Sequence, residues 1–180
     1  MSKKLNTRTI YERNQSRTTP TGFDETIVWL HNIRSMHNIG SVFRSADAFG
    51  IKEILLSGYT PIPPRPEISK TALGAEQSVH WKSFLSINDV IEYLNELHYD
   101  LVGLEQTDSS ILINNLNIQQ SSKICLICGN EITGIDDQII PFLDHVVEIP
   151  QYGKKHSLNV SVATGIALFS IHELFRINES

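Results

Sequence analysis

Three stretches of this 180-residue chain gather polar side chains beside glycine where a helix could start: RSMHNIG (34–40), GNEITGID (129–136) and PQYGKKHSLN (150–159). Together they offer Asn38, Glu131, Ser157 and Asn159. The first runs into NIGSVFRSADAFG, a helical stretch with Arg44 among small and apolar neighbours. Helix N-termini present free N–H groups, and glycine lets a ligand approach the backbone, so such loops suit a binding site. The apolar stripe Ile39, Val42, Phe43, Ala46 and Phe49 turns Arg44 off the core-facing side, toward a cleft or a partner. On an ordinary helix the same arginine would simply be solvated.

Several other chemistries fail on spacing. GNEITGID has glycines five apart, but isoleucine and aspartate stand where a phosphate-binding loop needs Lys and Ser/Thr. No G-x-G-x-x-G dinucleotide signature follows the first strand-like run. The only cysteines, Cys125 and Cys128, lie in KICLICG, which reads as a buried strand. Residues three apart on a strand face opposite sides, so these thiols cannot share a metal or a disulfide. His31 and His37 have no acid or second histidine at metal-ligand spacing, and no metal site is expected.

The elements that would position these loops alternate in type. Strand-like runs are TIVWLHNI (26–33), KEILLSG (52–58), SVHWKSF (78–84), YDLVGLEQ (99–106), SKICLICG (122–129) and HVVEIP (145–150). Helical patterns run from an Asn38 cap to a Gly50 stop, from about Asn88 through INDVIEYLNELH, and from about Leu158 to Phe175. GIDDQIIPFLD predicts a further short helix, and YTPIPPRPE (59–67) a proline-rich loop. Such alternation predicts an α/β fold, a mostly parallel sheet with helices on both faces. Ligands then bind outside the C-terminal ends of the strands, where the three loops fall.

Composition sets the outer bounds. An apolar fraction of 41% and a charged fraction of 19% are those of an ordinary globular chain. The net charge of −5 excludes an all-basic surface but not a local basic patch. Residues 1–22 form such a patch, a basic arm with Lys3, Lys4, Arg8, Arg13 and Arg17 opposed only by Glu12; residues 23–180 read as one domain. The start lacks the apolar run of a signal peptide, and no stretch approaches the roughly 20 apolar residues of a membrane span. With two core cysteines and no leader, a cytoplasmic protein with no membrane partner is expected.

Taken together, NIRSMHNIGSVFRSADAFG, LICGNEITGID and VEIPQYGKKHSLNVSVATGIALF resemble, in order, the three signature motifs of the SPOUT superfamily. More narrowly they resemble the SpoU–TrmH family of RNA ribose 2′-O-methyltransferases, over Ile27 to Phe175. The resemblance implies a SPOUT-like fold with a deep C-terminal trefoil knot, a homodimer, and S-adenosyl-L-methionine as methyl donor without metal. It also implies that Arg44, Asn38, Glu131, Ser157 and Asn159 form the catalytic set. Arg44 is a poor base, since its pKa exceeds about 12, so its implied role is to grip RNA phosphate and favour alkoxide character on the ribose. Glu131 would orient Arg44 or the substrate, Asn159 would hold the knot loop, and Ser157 would lie near the ribose.

For the cofactor, the resemblance implies a pocket of backbone and apolar groups at Gly129, Ile149 and Leu158, with Leu104 a further candidate. Lys154 and Lys155, with Arg8, Arg13 and Arg17 of the arm, are the expected RNA contacts. TALGAE (71–76) reads as a glycine turn packed under the site. So small a chain has no room for a separate RNA-binding domain, and a compact tRNA suits its surface best. The alternatives are a ribosomal RNA 2′-O-methyltransferase, a silent RNA-binding dimer of the same fold, and a SPOUT enzyme that methylates a base nitrogen. SLNVSVA favours the ribose enzymes over the last.

Overall fold

The computed structural model describes residues 2–178. Among them, β1 (Ile27–His31), β2 (Glu53–Ser57), β3 (His80–Phe84), β4 (Asp100–Leu104), β5 (Ile111–Leu112), β6 (Ile124–Cys128) and β7 (His145–Glu148) form one sheet. The order is β3-β2-β1-β6-β4-β7-β5, and every neighbouring pair is parallel. The helices are α1 (Thr7–Gln15), α2 (Met36–Phe49), α3 (Pro66–Ala72), α4 (Ala75–Ser78), α5 (Ile87–Glu96) and α6 (Val160–Asn178).

Strands β1 and β6 are buried along their whole length, which is why they read as continuous apolar runs rather than alternating ones. Alternate residues feed two separate cores. Val28 and Leu30 pack with α2, α3 and α6, whereas Ile27 and Trp29 pack with α5. The cysteines divide the same way: Cys125 belongs to the α5 layer and Cys128 to the other, both as free thiols. β3 lies at the sheet edge and exposes most of its side chains.

The element boundaries move from expectation at several points. Ser35, not Asn38, caps α2; its hydroxyl accepts the Asn38 N–H at 3.3 Å, and Asn38 already lies inside the helix. Gly50 ends α2 as expected, in the left-handed conformation. α5 starts at Ile87 behind a Ser86 capping box. α6 starts at Val160 rather than Leu158, because the Asn159 side chain accepts the N–H groups of Ser161 (3.0 Å) and Val162 (3.4 Å). In place of a helix over GIDDQIIPFLD there are turns and a 3-10 turn at Ile140–Phe142, with proline at its start. α3 and α4 fall on the end of the proline-rich loop and the TALGAE turn, with only Ser78 of α4 inside the strand-like run 78–84, and the two-residue β5 carries too little pattern to predict.

A further difference concerns α6. By length and apolar content it does meet the requirement for a membrane span, contrary to the sequence reading. Its Ala167, Leu168, Ile171 and Phe175 are fully buried in the same core as β1 and α2, so one face of the helix packs inside the protein. TALGAE forms the α3–α4 turn, with Leu73 and Gly74 both at positive φ. It packs on the start of α2: the Thr71 hydroxyl donates to the His37 carbonyl at 3.0 Å. A Cβ on Gly40 would lie 2.2 Å from the Ile68 carbonyl oxygen, so only glycine permits that approach.

Candidate active site

The loops that follow β4, β6 and β7 surround a cleft of about 940 Å3 at the C-terminal edge of the sheet. Leu104, Gly129, Ile149 and Leu158 all line it, as do Glu131 and Ser157. Leu104 and Ile149 also pack against the core, so they are fixed from behind while their outer faces form the cleft wall. The charged side chains in the lining are acidic: Glu105, Glu131, Asp137 and Glu148. A cavity of this size and mixed lining suits a small-molecule ligand.

The turn after β6 shapes one wall. Asn130 and Gly134 exchange backbone hydrogen bonds at 2.9 and 3.0 Å. The Asn130 side chain fills the turn: its oxygen accepts the N–H groups of Ile132 (2.8 Å) and Thr133 (3.1 Å), and its amide donates to Asn32 O and Tyr59 Oη, both at 2.8 Å. Glu105 braces the far side by accepting the Ile135 N–H at 3.0 Å. Gly129 is required here for a different reason than expected. A Cβ would lie 2.2 Å from Gly134 O and 2.3 Å from Ile135 N, so the backbone it admits is the protein's own.

A row of hydrogen bonds then joins the three motif loops. The Glu131 carboxylate accepts the Arg34 and Ser35 N–H groups, each at 3.0 Å, and the Asn38 amide at 2.9 Å. The Asn38 oxygen in turn accepts the Asn159 amide at 3.1 Å. Asn159 caps α6, so the row runs from the β6 turn across the start of α2 to the start of α6. Over the cleft, the Gln106 amide holds the last loop by donating to His156 O at 2.9 Å.

Glu131 therefore binds Asn38 and the α2 entry, and makes no bond to Arg44. Arg44 is exposed, has no hydrogen bond or ion pair among the described residues, and does not line the cleft of its own chain. Ser157 is exposed on the cleft rim and plays no capping part. Lys154 and Lys155 are exposed on the 149–159 loop, outside the cleft lining. In the arm, α1 buries no residue; Arg8 pairs with Glu12 at 2.9 Å, and Arg13 and Arg17 are exposed. Asn130, Glu105 and Gln106 escaped the sequence reading. Asn130 sits inside a motif, but nothing in its type distinguishes a turn-forming asparagine from a catalytic one.

The charge state of Glu131 is measurable. Burial alone would push its carboxyl up, but hydrogen bonds from Arg34, Asn38, its own N–H and Ser35 outweigh this and hold it below the usual range. A carboxyl depressed on folding contributes stability that is present above its unfolded value, about 4.3, and is lost as pH falls through the folded value. Thermal unfolding of wild type and Glu131→Gln should therefore show a gap in Tm at neutral pH that closes in acid. A gap that stays constant down to about pH 3 would show that Glu131 is not ionised in this network.

An all-parallel sheet with a ligand cleft at its strand ends defines a class of small-molecule-binding α/β proteins. Residues 25–169 match the SpoU rRNA Methylase family, and the chain belongs to that family, within the SpoU–TrmH group of the SPOUT superfamily. It is 32% identical over 150 residues to an uncharacterized tRNA/rRNA methyltransferase of Borreliella burgdorferi, covering 81% of this chain and 62% of that one. It is 29% identical to the tRNA (guanosine(18)-2'-O)-methyltransferase of Aquifex aeolicus, covering 79% of this chain and 66% of the relative. The chain thus spans somewhat under two thirds of the length of these relatives. Its fold matches that of an AdoMet-bound rRNA methyltransferase from Sinorhizobium meliloti, with a TM-score of 0.77 at 24% identity, over 93% of this chain and 70% of the other.

Proposed function

We propose that this protein is an S-adenosyl-L-methionine-dependent RNA methyltransferase that modifies a ribose 2′-hydroxyl, with tRNA as its substrate and ribosomal RNA as the alternative. The observation that carries the reading is the cleft in which Leu104, Gly129, Ile149 and Leu158 converge beside the Glu131–Asn38–Asn159 row. Family membership and relatives named for tRNA and rRNA methylation support it. The donor set fits the cofactor: apolar walls suit adenosine, and the acidic lining suits a cationic sulfonium.

When bound, the cofactor supplies an activated methyl group. Leu104, Ile149 and Leu158 would hold the adenosine, and the Glu131 row would keep the α2 and α6 starts in register around it. Glu131 does not serve as general base, since its oxygens already accept three hydrogen bonds that favour the ionised, occupied state. Arg44 grips the phosphate beside the target and stabilises negative charge growing on the 2′-oxygen. Ser157 faces the ribose from the cleft rim, while Lys154, Lys155 and the arm arginines hold the RNA backbone. A trefoil knot in the C-terminal part and a cytoplasmic location belong to the same reading.

Isothermal titration in EDTA should give one S-adenosylmethionine site per chain, and tritium transfer to bulk RNA should yield 2′-O-methyl nucleosides on digestion. Loss of binding on chelation, or transfer only to base nitrogens, would overturn the reading.

Arg44 lies outside its own cleft, which points to a dimer in which it serves the partner's site. The small residues of α6 pack within the chain: Ala167 is fully buried, and a Cβ on Gly165 would meet Ser45 Oγ at 3.6 Å. What α6 leaves open is the stripe Val162, Ile166 and Phe169, exposed at 51%, 38% and 55%. These lie at helical spacing on one face, with the Phe169 ring 6.4 Å from the Phe49 ring at the end of α2, the helix that also carries Arg44. Sedimentation at about micromolar concentration should show a dimer, and Phe169→Asp should give a folded monomer without transfer activity. A wild-type monomer would leave Arg44 without a site.

A further inference from the structure

A second cleft, of about 380 Å3, opens between the ends of β2 and β3. Tyr59, Ile62, Arg65, Phe84 and Leu85 line it, with Met36 from the start of α2. Two features are unlike an ordinary loop surface. Leu85 is 98% exposed and Tyr59 60% exposed, so a large apolar and aromatic face stands open to water. The tyrosine is nevertheless held at both ends: its N–H donates to Asn32 Oδ1 at 3.1 Å, and its hydroxyl accepts the Asn130 amide at 2.8 Å.

The loop beneath it is equally constrained. Gly58 has φ +65°, and a Cβ there would lie 2.0 Å from Asn32 Oδ1. The Thr60 hydroxyl donates to the Ser57 carbonyl at 2.8 Å and accepts the Ile33 N–H at 3.1 Å. The ring is therefore fixed before any ligand arrives, which removes much of the ordering cost of binding. Arg65 precedes α3 on the cleft rim, exposed and without an ion pair among the described residues. A rigid aromatic face with an apolar neighbour and a free guanidinium is the combination that receives an unstacked base and its phosphate.

We propose that this cleft takes one unpaired nucleobase of the RNA substrate, stacked on Tyr59 beside Leu85, with Arg65 on the adjoining phosphate. The inference rests on the RNA reading above and adds a recognition site separate from the cofactor cleft. Asn130 joins the two sites, since the same amide that shapes the β6 turn anchors the Tyr59 hydroxyl. A base seated here fixes where the rest of the strand runs relative to the cofactor, and does so without reading paired sequence. It requires the modified region to be single-stranded, as in a loop.

The test is steady-state methyl transfer to bulk tRNA lacking the modification, or to ribosomal RNA if the wild type methylates that instead. Tyr59→Ala should raise the apparent KM for RNA about 10-fold, with kcat and cofactor affinity near wild type. Tyr59→Phe keeps the ring and loses only the hydroxyl anchor, and should raise KM by about 3-fold, clearly less than Tyr59→Ala. Leu85→Ala, at a position too exposed to affect folding, should raise KM about 3-fold. Unchanged KM in Tyr59→Ala and Leu85→Ala, with wild type active, overturns the base site and leaves the enzyme reading standing. An equal KM rise in Tyr59→Phe also overturns it, because the anchor and not the ring would then matter. If the wild type methylates no RNA, the functional reading fails and the base site falls with it.

Discussion

Arg44→Ala should lower methyl transfer by about 100-fold or more while leaving cofactor affinity nearly unchanged. The separation follows from geometry. Arg44 does not line the cleft that holds the proposed cofactor residues, and it makes no bond that stabilises the chain. Exposed substitutions of this kind shift stability by only about 0.5 kcal/mol, so lost turnover would not reflect unfolding. Arg44→Lys should fail almost as badly, because lysine keeps the charge but loses the planar fork that can engage two phosphate oxygens. Single-turnover transfer on the natural RNA, paired with calorimetric cofactor titration, checks both halves. Near-normal turnover in Arg44→Ala would remove this residue from the chemistry.

Gly129→Ala should be the most damaging substitution in the cofactor cleft, although it adds one methyl group. The new Cβ would meet backbone on the facing side of the turn, 2.2 Å from Gly134 O and 2.3 Å from its carbonyl carbon. Backbone cannot swing away as a side-chain tip can, so the Asn130–Gly134 pairing must open. Opening it displaces Glu131 from Asn38 and the α2 entry, and with them the wall of the cleft. Overpacking typically costs about 1–3 kcal/mol, so a lowered Tm is expected together with a cofactor Kd raised by about 10-fold or more. Wild-type affinity and melting behaviour in Gly129→Ala would mean that the turn is looser than its hydrogen bonds indicate.

Much of the architecture was legible because its signals are local. The apolar runs of β1 and β6 marked strands buried on both faces, and the stripe from Ile39 to Phe49 marked α2. The C-x-x-C pair could be dismissed from strand alternation alone, and Cys125 and Cys128 do lie in different cores. The starts of α2 and α6 differ from the sequence expectation for a physical reason. Ser35 and Asn38 are both good capping residues, as are Ser157 and Asn159, and type alone does not say which one meets a free N–H. The short β5 and the turns over GIDDQIIPFLD were missed because two or three residues hold no period, and because proline and tertiary packing override helical pattern.

The amino-acid sequence by itself determined the α/β class, the three polar loops at strand ends and the residue types available for chemistry there. Only the tertiary structure decided which of those residues meet. Leu104 and Leu158 are far apart in the chain, yet they share a cleft because β4 and β7 are neighbours in the sheet and the loop after β7 returns across it. Glu131 reaches Asn38 rather than Arg44 because β6 pairs with β1, which brings the β6 turn against the entry to α2 and leaves Arg44 beyond its reach. Gly129 serves the turn because the strand end and Gly134 close on each other, a contact that depends on backbone path rather than residue type. Strand pairing is set by many distributed apolar contacts, and no short motif encodes it.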